Sequence, residues 1–253
     1  MNNFEYKINR LNELIDKCNN IVFFGGAGVS TESGIPDFRS KDGLYNQKDV
    51  NFDQYDPEYL LSRECLYNDT KVFYEYYRQK LDTRNIEPNV THKVLAKLEE
   101  LGKLKAVVTQ NIDGLHQKAG SKNVYEIHGT TQRNYCSKCK KEYPSDFLFT
   151  TTALPYCECG GLIRPDVTLY GEQLPNDAVE KALEAISKAD MLIVAGTSLQ
   201  VYPAAGFVHY FAGDHLVVIN KEKINIYLNE ETDLFICESL GKVFERINIW
   251  KEK

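Results

Sequence analysis

The chain has 253 residues, 43% apolar and 26% charged, with a formal net charge of −6. Its length supports a large core, as one domain or as one domain with an insert, and its balance is that of an ordinary globular protein. The charge argues against direct nucleic-acid binding, no apolar run is long enough to span a bilayer, and the polar, amphipathic start Met1 to Arg10 is not a secretory leader, so the expected address is the cytoplasm.

Tyr6 to Cys18 carries apolar residues at helical spacing and stops at Asn19-Asn20. Ile21-Val22-Phe23-Phe24 then reads as a buried parallel strand that runs into Gly25-Gly26-Ala27-Gly28. Glycines there let the backbone turn sharply and bring bare N–H groups near a ligand, which suits a pyrophosphate. The stretch departs from the usual dinucleotide fingerprint. Gly26 and Gly28 supply G-x-G, but Thr31 holds the third position, Gly34 comes late, and no ribose-binding acid follows at the usual distance. On spacing alone, a nucleotide loop and a plain glycine turn in an α/β core both remain open.

Tyr45 to Leu81 is aromatic and polar, with a helical portion at Phe73 to Arg78. Thr91 to Leu101 reads as a helix capped by Thr91 and closed by Gly102. Ala106 to Thr109 and Val124 to Ile127 are short strands, and Asn176 to Ala189 is an amphipathic helix. Met191 to Ala195, Leu216 to Ile219 and Leu234 to Cys237 are apolar strands, and Ser239 to Trp250 is a closing helix. Strands alternating with helices predict an α/β fold, a doubly wound, Rossmann-like parallel sheet covered on both faces. Such sheets bind ligands beyond the carboxyl ends of their strands. Five strand ends carry unusual polar or glycine residues: Gly25 to Gly28, Gln110 to Asp113, His128-Gly129, Gly196-Thr197-Ser198 and Asn220. They are expected to converge on one crevice.

Cys136 to Cys159 breaks the alternation with the pattern C-x2-C-x17-C-x-C, formed by Cys136, Cys139, Cys157 and Cys159. Four thiolates in two close pairs are what a closed tetrahedral zinc site needs. The second pair has one intervening residue, and Gly160-Gly161 behind it can relieve the tight loop. Buried or redox cysteines are the alternative; the polar, hairpin-like insert with little core of its own favours structural zinc. Cys18, Cys65 and Cys237 read as packing residues.

These segments together resemble the sirtuins of bacterial type, which are NAD-dependent protein deacylases. The matching residues are Gly26-Ala27-Gly28-Val29-Ser30, Gly34-Ile35-Pro36-Asp37-Phe38-Arg39, Thr109 to His116, Ile127-His128-Gly129, the four cysteines, Gly171-Glu172 and Gly196-Thr197-Ser198-Leu199. They keep the family's order from Gly26 to Asn220. The resemblance implies a large NAD-binding domain (1–40, 82–130 and 166–253) and a small inserted one. The small domain would combine a helical insert (41–81) with a zinc module (131–165), and the active site would lie in the cleft between domains.

The resemblance also implies roles. Sirtuins cleave the nicotinamide–ribose bond while the acyl-lysine oxygen attacks the anomeric carbon, giving nicotinamide, free lysine and O-acyl-ADP-ribose. His128 matches the base that activates a ribose hydroxyl; read alone, a histidine at a strand end is equally a structural hydrogen-bonder. Asn111 matches the residue orienting the ribose hydroxyls or a water. Asp113 and Ile112 match the nicotinamide carboxamide site, with a helix cap as the alternative for Asp113. Phe38 matches the aromatic shielding the reactive carbon, and Arg39 and Gln110 line the same pocket. Ala27, Gly28 and Ser30 match the phosphate and ribose loop. Gly196, Thr197 and Ser198 match a second such loop, and Asn220 an adenosine-ribose contact. His116 reads as structural.

An extended acyl-lysine peptide is expected between Val167–Glu172 and Leu199–Pro203, bound by strand addition, with Val167, Thr168, Gly171, Glu172 and Val201 in contact. Thr168 replaces a usual branched apolar residue and Tyr170 a usual Phe. The Tyr-x-x-Arg pair of sirtuins that favour acidic acyl groups is absent in register: Glu75 stands three residues before Arg78, and Tyr74 is one off. Acetyl-lysine is the first-choice substrate. A protein ADP-ribosyltransferase on the same fold, a non-catalytic NAD sensor and a plain oxidoreductase are the other classes.

Overall fold

The computed structural model describes residues 3–249. The helices are α1 (Asn3–Lys17), α2 (Pro57–Leu60), α3 (Arg63–Asn68), α4 (Thr70–Lys80), α5 (Val90–Glu100), α6 (Leu115–Lys118), α7 (Phe147–Thr150), α8 (Asn176–Lys188) and α9 (Leu240–Phe244). The strands are β1 (Ile21–Gly25), β2 (Leu104–Thr109), β3 (Val124–Glu126), β4 (Gly129–Cys136), β5 (Glu142–Tyr143), β6 (Ile163–Val167), β7 (Met191–Ala195), β8 (His215–Asn220) and β9 (Leu234–Cys237).

Six parallel strands form one sheet in the order β3-β2-β1-β7-β8-β9. All five residues of β1 and of β7 are buried, as expected of strands covered on both faces. Alternate side chains feed two cores. Ile21, Phe23, Met191 and Ile193 meet α1, α5 and α9, and Val22, Phe24, Leu192 and Val194 meet Ala182 and Ile186 of α8. The amphipathic spacing of α1 explains its place: Ile8, Leu11, Leu14 and Ile15 share its buried face.

A second, antiparallel sheet, β5-β4-β6, packs with α2 to α4 around a separate core. That core is largely aromatic. Phe73, Tyr74 and Tyr77 are fully buried, and burying a ring such as Phe73 contributes about 1.5–3 kcal/mol. The Tyr74 hydroxyl donates to the Ile163 carbonyl at 2.6 Å, and Tyr77 stacks on Phe149.

The first helix starts three residues earlier than its apolar spacing suggested, and two other helix ends differ for reasons the structure shows. The cap of α5 is Asn89, whose carboxamide oxygen accepts from Thr91 N at 2.9 Å, and His92 Nδ1 returns the bond to Asn89 N. A two-sided cap holds more of the orphan donors than Thr91 alone could. The closing helix ends at Phe244 rather than running to Trp250, which lies outside the described residues. Asn12 of α1 explains the stop. It accepts from Asn248 N at 2.7 Å and donates to Arg246 O at 3.0 Å, so these groups find partners outside a helix. Gly102, at φ +73°, closes α5 as expected.

Candidate active site

From β1 the chain runs outward through β2 and β3, and later returns to place β7 on the other side of β1, so the crevice falls where the strand order reverses. The loop after β1 and the loop after β7 are pressed together. Gly28 N donates to Gly196 O at 2.8 Å, and a Cβ on Gly28 would lie 2.8 Å from the Gly196 Cα, closer than any real side chain sits. The glycines are needed for this approach.

All five strand ends border one cavity of about 580 Å³. Ala27 and Gly28 line it from β1, and Gln110, Asn111 and Ile112 from β2. His128 follows β3, while Gly196, Thr197 and Ser198 follow β7, and Asn220 ends β8. Phe38 and Arg39 reach it from the loop after the glycines, and Val167, Thr168, Gly171, Glu172 and Val201 border it as well. Gln110 ties three ends together. Its N–H donates to Gly25 O at 3.0 Å, its side chain to the Thr197 hydroxyl at 3.1 Å, and its carbonyl lies 3.1 Å from His128 Nδ1.

That last contact fixes the histidine. A carbonyl can only accept, so Nδ1 carries the proton and Nε2 is left as an acceptor. Burial lowers the His128 pKa, against the opposing effect of the Gln110 carbonyl, so the ring is neutral at neutral pH. The His128 carbonyl accepts from Thr168 N at 2.9 Å, joining the histidine to the loop after β6. Gly129, at φ +73°, has no room for a side chain: a Cβ would stand 2.0 Å from Asp166 O.

Ser30 and Asp113 sit behind the wall rather than on it. The Ser30 hydroxyl donates to Asp113 at 2.6 Å and accepts from Asn111 Nδ2 at 3.1 Å. The other Asp113 oxygen accepts from Leu115 N at 2.9 Å, so the carboxylate also caps the start of α6. Burial raises the Asp113 pKa, opposed by the Ser30 and Leu115 bonds. The triad holds Asn111 from behind. His116 is buried against Phe23 and His92, away from the cavity.

The four cysteine sulfurs lie within 4.8 Å of one another. Cys136 and Cys159 are 3.5 Å apart, and Cys139 and Cys157 are 3.7 Å apart. A tetrahedron of thiolates at the usual Zn–S length has edges of about 3.8 Å. The donor set is therefore that of a closed structural zinc site, with four thiolates and no open position. The N–H groups of Lys138 and Cys139 point to Cys136 Sγ at 3.4 and 3.5 Å, and a Cβ on Gly161 would lie 2.6 Å from it. Cys18 and Cys65 are buried, but Cys237 is exposed at the end of an edge strand, its thiol on Lys221 O, and does not pack as expected.

The sequence model of the Sir2 family matches residues 26–203, which span both cysteine pairs and four of the five strand ends. The chain belongs to the Sir2 family. Among curated sirtuin relatives, the NAD-dependent protein deacetylases of Clostridium acetobutylicum and Clostridium perfringens are each 53% identical over 243 residues, covering 95% of this chain and 98% of the relative. Among solved structures, the chain described as "Structural Basis for the Mechanism and Regulation of Sir2 Enzymes" is 36% identical with a TM-score of 0.84, covering 97% of this sirtuin and 98% of that chain. Another, "Sir2-p53 peptide-NAD+", is 35% identical with a TM-score of 0.80, covering 95% and 96%.

Two features of this sirtuin's cavity lay beyond the motifs. Tyr45, Leu61, Tyr77 and Leu81 line it from the helical insert, where the sequence shows only an aromatic stretch. Tyr45 and Arg39 also bond to Tyr170, a contact across more than a hundred residues that no local signal marks. Glu172 turns its carboxylate away from open space. Both its oxygens meet the Arg164 guanidinium, and one also accepts from Leu169 N at 3.0 Å. Arg78 is engaged with the Leu148 and Ala153 carbonyls at 2.8 and 2.9 Å and does not border the cavity. Among the described residues, no helix is long and apolar enough to cross a membrane.

Proposed function

We infer that this sirtuin is an NAD-dependent protein-lysine deacetylase, yielding nicotinamide, free lysine and O-acetyl-ADP-ribose. One observation carries the reading: a chain 53% identical to proteins of that name brings its five strand-end motifs to a single cavity. NAD supplies a ribose carbon whose bond to nicotinamide breaks as the acetyl-lysine oxygen attacks it.

His128, neutral and with Nε2 free to accept, takes the proton of a ribose hydroxyl. Asn111, held by Ser30, orients that hydroxyl or a water. The Ile112 backbone receives the carboxamide, supported by Asp113, whose carboxylate is held by the Ser30 hydroxyl and Leu115 N. Phe38 excludes water from the reacting carbon. Ala27, Gly28, Thr197 and Ser198 hold the phosphates and riboses, with Asn220 at the adenosine end.

The peptide adds as an extended strand between 167–172 and 199–203, so backbone bonds give affinity and sequence preference is loose. The cleft lies between a large domain (1–40, 82–130 and 166–253) and a small one (41–81 and 131–165); the separate hydrophobic cores support that division. The seven unpaired cysteines are compatible with a reducing, cytoplasmic setting.

Mass spectrometry of an acetylated peptide incubated with and without NAD tests the reading. The expected result is NAD-dependent loss of acetyl with matching nicotinamide release. ADP-ribose added to protein with acetyl retained would replace it with a transferase. On one peptide, acetyl-lysine should outpace succinyl-lysine. A buried succinyl carboxylate needs a cation, but Arg78 is engaged elsewhere, Arg39 is paired with Glu58, and Lys41 and Lys221 at the cavity's border stand exposed. Progress curves favouring succinyl would overturn that choice.

A further inference from the structure

Tyr170 joins the two sides of the cleft. Its backbone is fixed to the helical insert, with Tyr170 N donating to Leu61 O at 3.0 Å and Arg63 N to Tyr170 O at 2.9 Å. Its hydroxyl leaves that frame. It accepts from Arg39 Nη2 at 2.9 Å and shares a hydrogen bond with the Tyr45 hydroxyl at 3.0 Å. The Arg39 guanidinium lies 5.5 Å from the centre of the Tyr45 ring. Tyr45 N donates to Phe38 O at 3.0 Å, and the Tyr45 and Phe38 rings are 5.4 Å apart. Burial, then the neighbouring phenol, raise the Tyr45 pKa, so it stays protonated and able to hydrogen-bond.

The remaining hydrogen bonds of the 37–47 segment are internal, among them Leu44 N to Asp37 O, Ser40 N to Asp37 Oδ1, Gly43 N to Ser40 O and Asn46 Nδ2 to Ser40 O. Among the described residues, the side-chain hydrogen bonds of 37–47 to the rest of the protein go to Glu58 and Tyr170. The Phe expected at position 170 by resemblance has no hydroxyl for either bond.

We propose that Tyr170 is a positioning residue whose hydroxyl couples the peptide-binding loop to the segment carrying Phe38 and Arg39. The proposal rests on the deacetylase reading. A peptide strand added to 167–172 steadies the Tyr170 backbone. The hydroxyl passes that order to Tyr45 and Arg39, and so to Phe38 over the reacting carbon. Without the hydroxyl, Phe38 closes less often and water competes with the acetyl oxygen. The water oxygen then bonds to the ribose carbon, nicotinamide leaves with the bonding pair, the water's proton goes to bulk, and the product is ADP-ribose.

The test counts nicotinamide released per peptide deacetylated, together with KM for NAD, in the wild type, Tyr170→Phe, Tyr45→Phe and the double variant. The wild type should release one nicotinamide per deacetylated peptide. Tyr170→Phe should raise KM for NAD by at least about 3- to 10-fold, the scale of one lost neutral hydrogen bond, since the Arg39 bond is lost besides, and release nicotinamide in clear excess. Tyr45→Phe removes the shared phenol bond but leaves the Arg39 bond, so it should do the same to a smaller degree, and the double variant should add little to Tyr170→Phe. A folded Tyr170→Phe that keeps one-to-one release and an unchanged KM would overturn the proposal, and so would multiplicative effects in the double variant. If Tyr170→Phe does not fold, Tyr45→Phe removes the same bond from the other side. A wild type that releases no nicotinamide with peptide would refute the deacetylase reading itself, a different outcome.

Discussion

Replacing Glu172 by Gln keeps the size of the side chain and removes the counter-ion of Arg164. The Arg164 side chain is 8% exposed and that of Glu172 17%. The guanidinium meets both Glu172 oxygens, and its Nη2 also donates to Val167 O at 2.8 Å. The same carboxylate accepts from Leu169 N, closing the turn that the peptide is expected to join. Removing one partner of such a buried pair strands a charge and costs about 3–5 kcal/mol. The lower end applies, because Gln keeps one acceptor and Arg164 keeps the Val167 carbonyl. A domain stable by about 5–15 kcal/mol survives that loss, so Glu172→Gln should be folded, with a lower urea midpoint and a raised KM for peptide. Arg164→Met and the double variant complete a cycle, and the double should cost less than the sum of the singles.

Burial alone would raise the Glu172 pKa, but the Arg164 bonds and the Leu169 N–H outweigh it and lower it. A carboxyl lowered in the folded state contributes stability that is present above its ordinary pKa and lost as pH falls through the lowered folded value. Glu172→Gln should therefore flatten part of the acid limb of the stability curve. A midpoint within about 0.5 kcal/mol of the wild type, the range of an ordinary surface change, and an unchanged peptide KM would refute the reasoning.

Elemental analysis should find one zinc per chain, and Cys136→Ser or strong chelation should unfold the small unit, since the metal supplies its folding energy; full activity after chelation would contradict this. His128→Ala should fold and bind NAD while losing about 10²–10⁴-fold in turnover. Because burial lowers the His128 pKa and the base acts when neutral, wild-type activity should fall with acid only below the ordinary histidine value of 6.5; an acid limb centred above it would argue for another group. His92 and His116 are buried 4.7 Å apart, ring to ring. Burial lowers His92 to about 4 and His116 well below its ordinary value. The unfolded chain binds those protons first, so stability should be full above pH 6.5 and fall as pH drops toward 4. Urea midpoints for His116→Phe with an undiminished pH slope would refute that.

The parallel sheet was legible because its strands are continuous apolar runs, a pattern written locally at Ile21–Phe24 and Met191–Ala195. The cysteine pairs were legible for the same reason: their chemistry sits in short spacing. What stayed hidden depends on partners distant in the chain. The end of α9 is decided by Asn12, more than two hundred residues earlier. The cap Asn89 was overlooked beside Thr91, although its carboxamide also donates to Val29 O and Ser33 Oγ. The insert read as aromatic and polar, and its core stayed hidden because tyrosines such as Tyr74 and Tyr77 look amphipathic in sequence, yet both are wholly buried. The pairing of Glu172 with Arg164 was hidden because Arg164 belongs to a strand with no motif of its own.

The central position of β1 has a consequence for synthesis. This strand leaves the ribosome early, but its second neighbour, β7, is not made until Met191–Ala195. Until then one edge of an apolar strand stands bare, and such edges pair with whatever they meet. The buried residues of the small core all lie between Leu44 and Leu169, so that core can close before the sheet does. Its closure is expected to depend on the zinc that the four cysteines would hold. A shortage of zinc during growth should therefore appear as insoluble protein rather than as a slow enzyme.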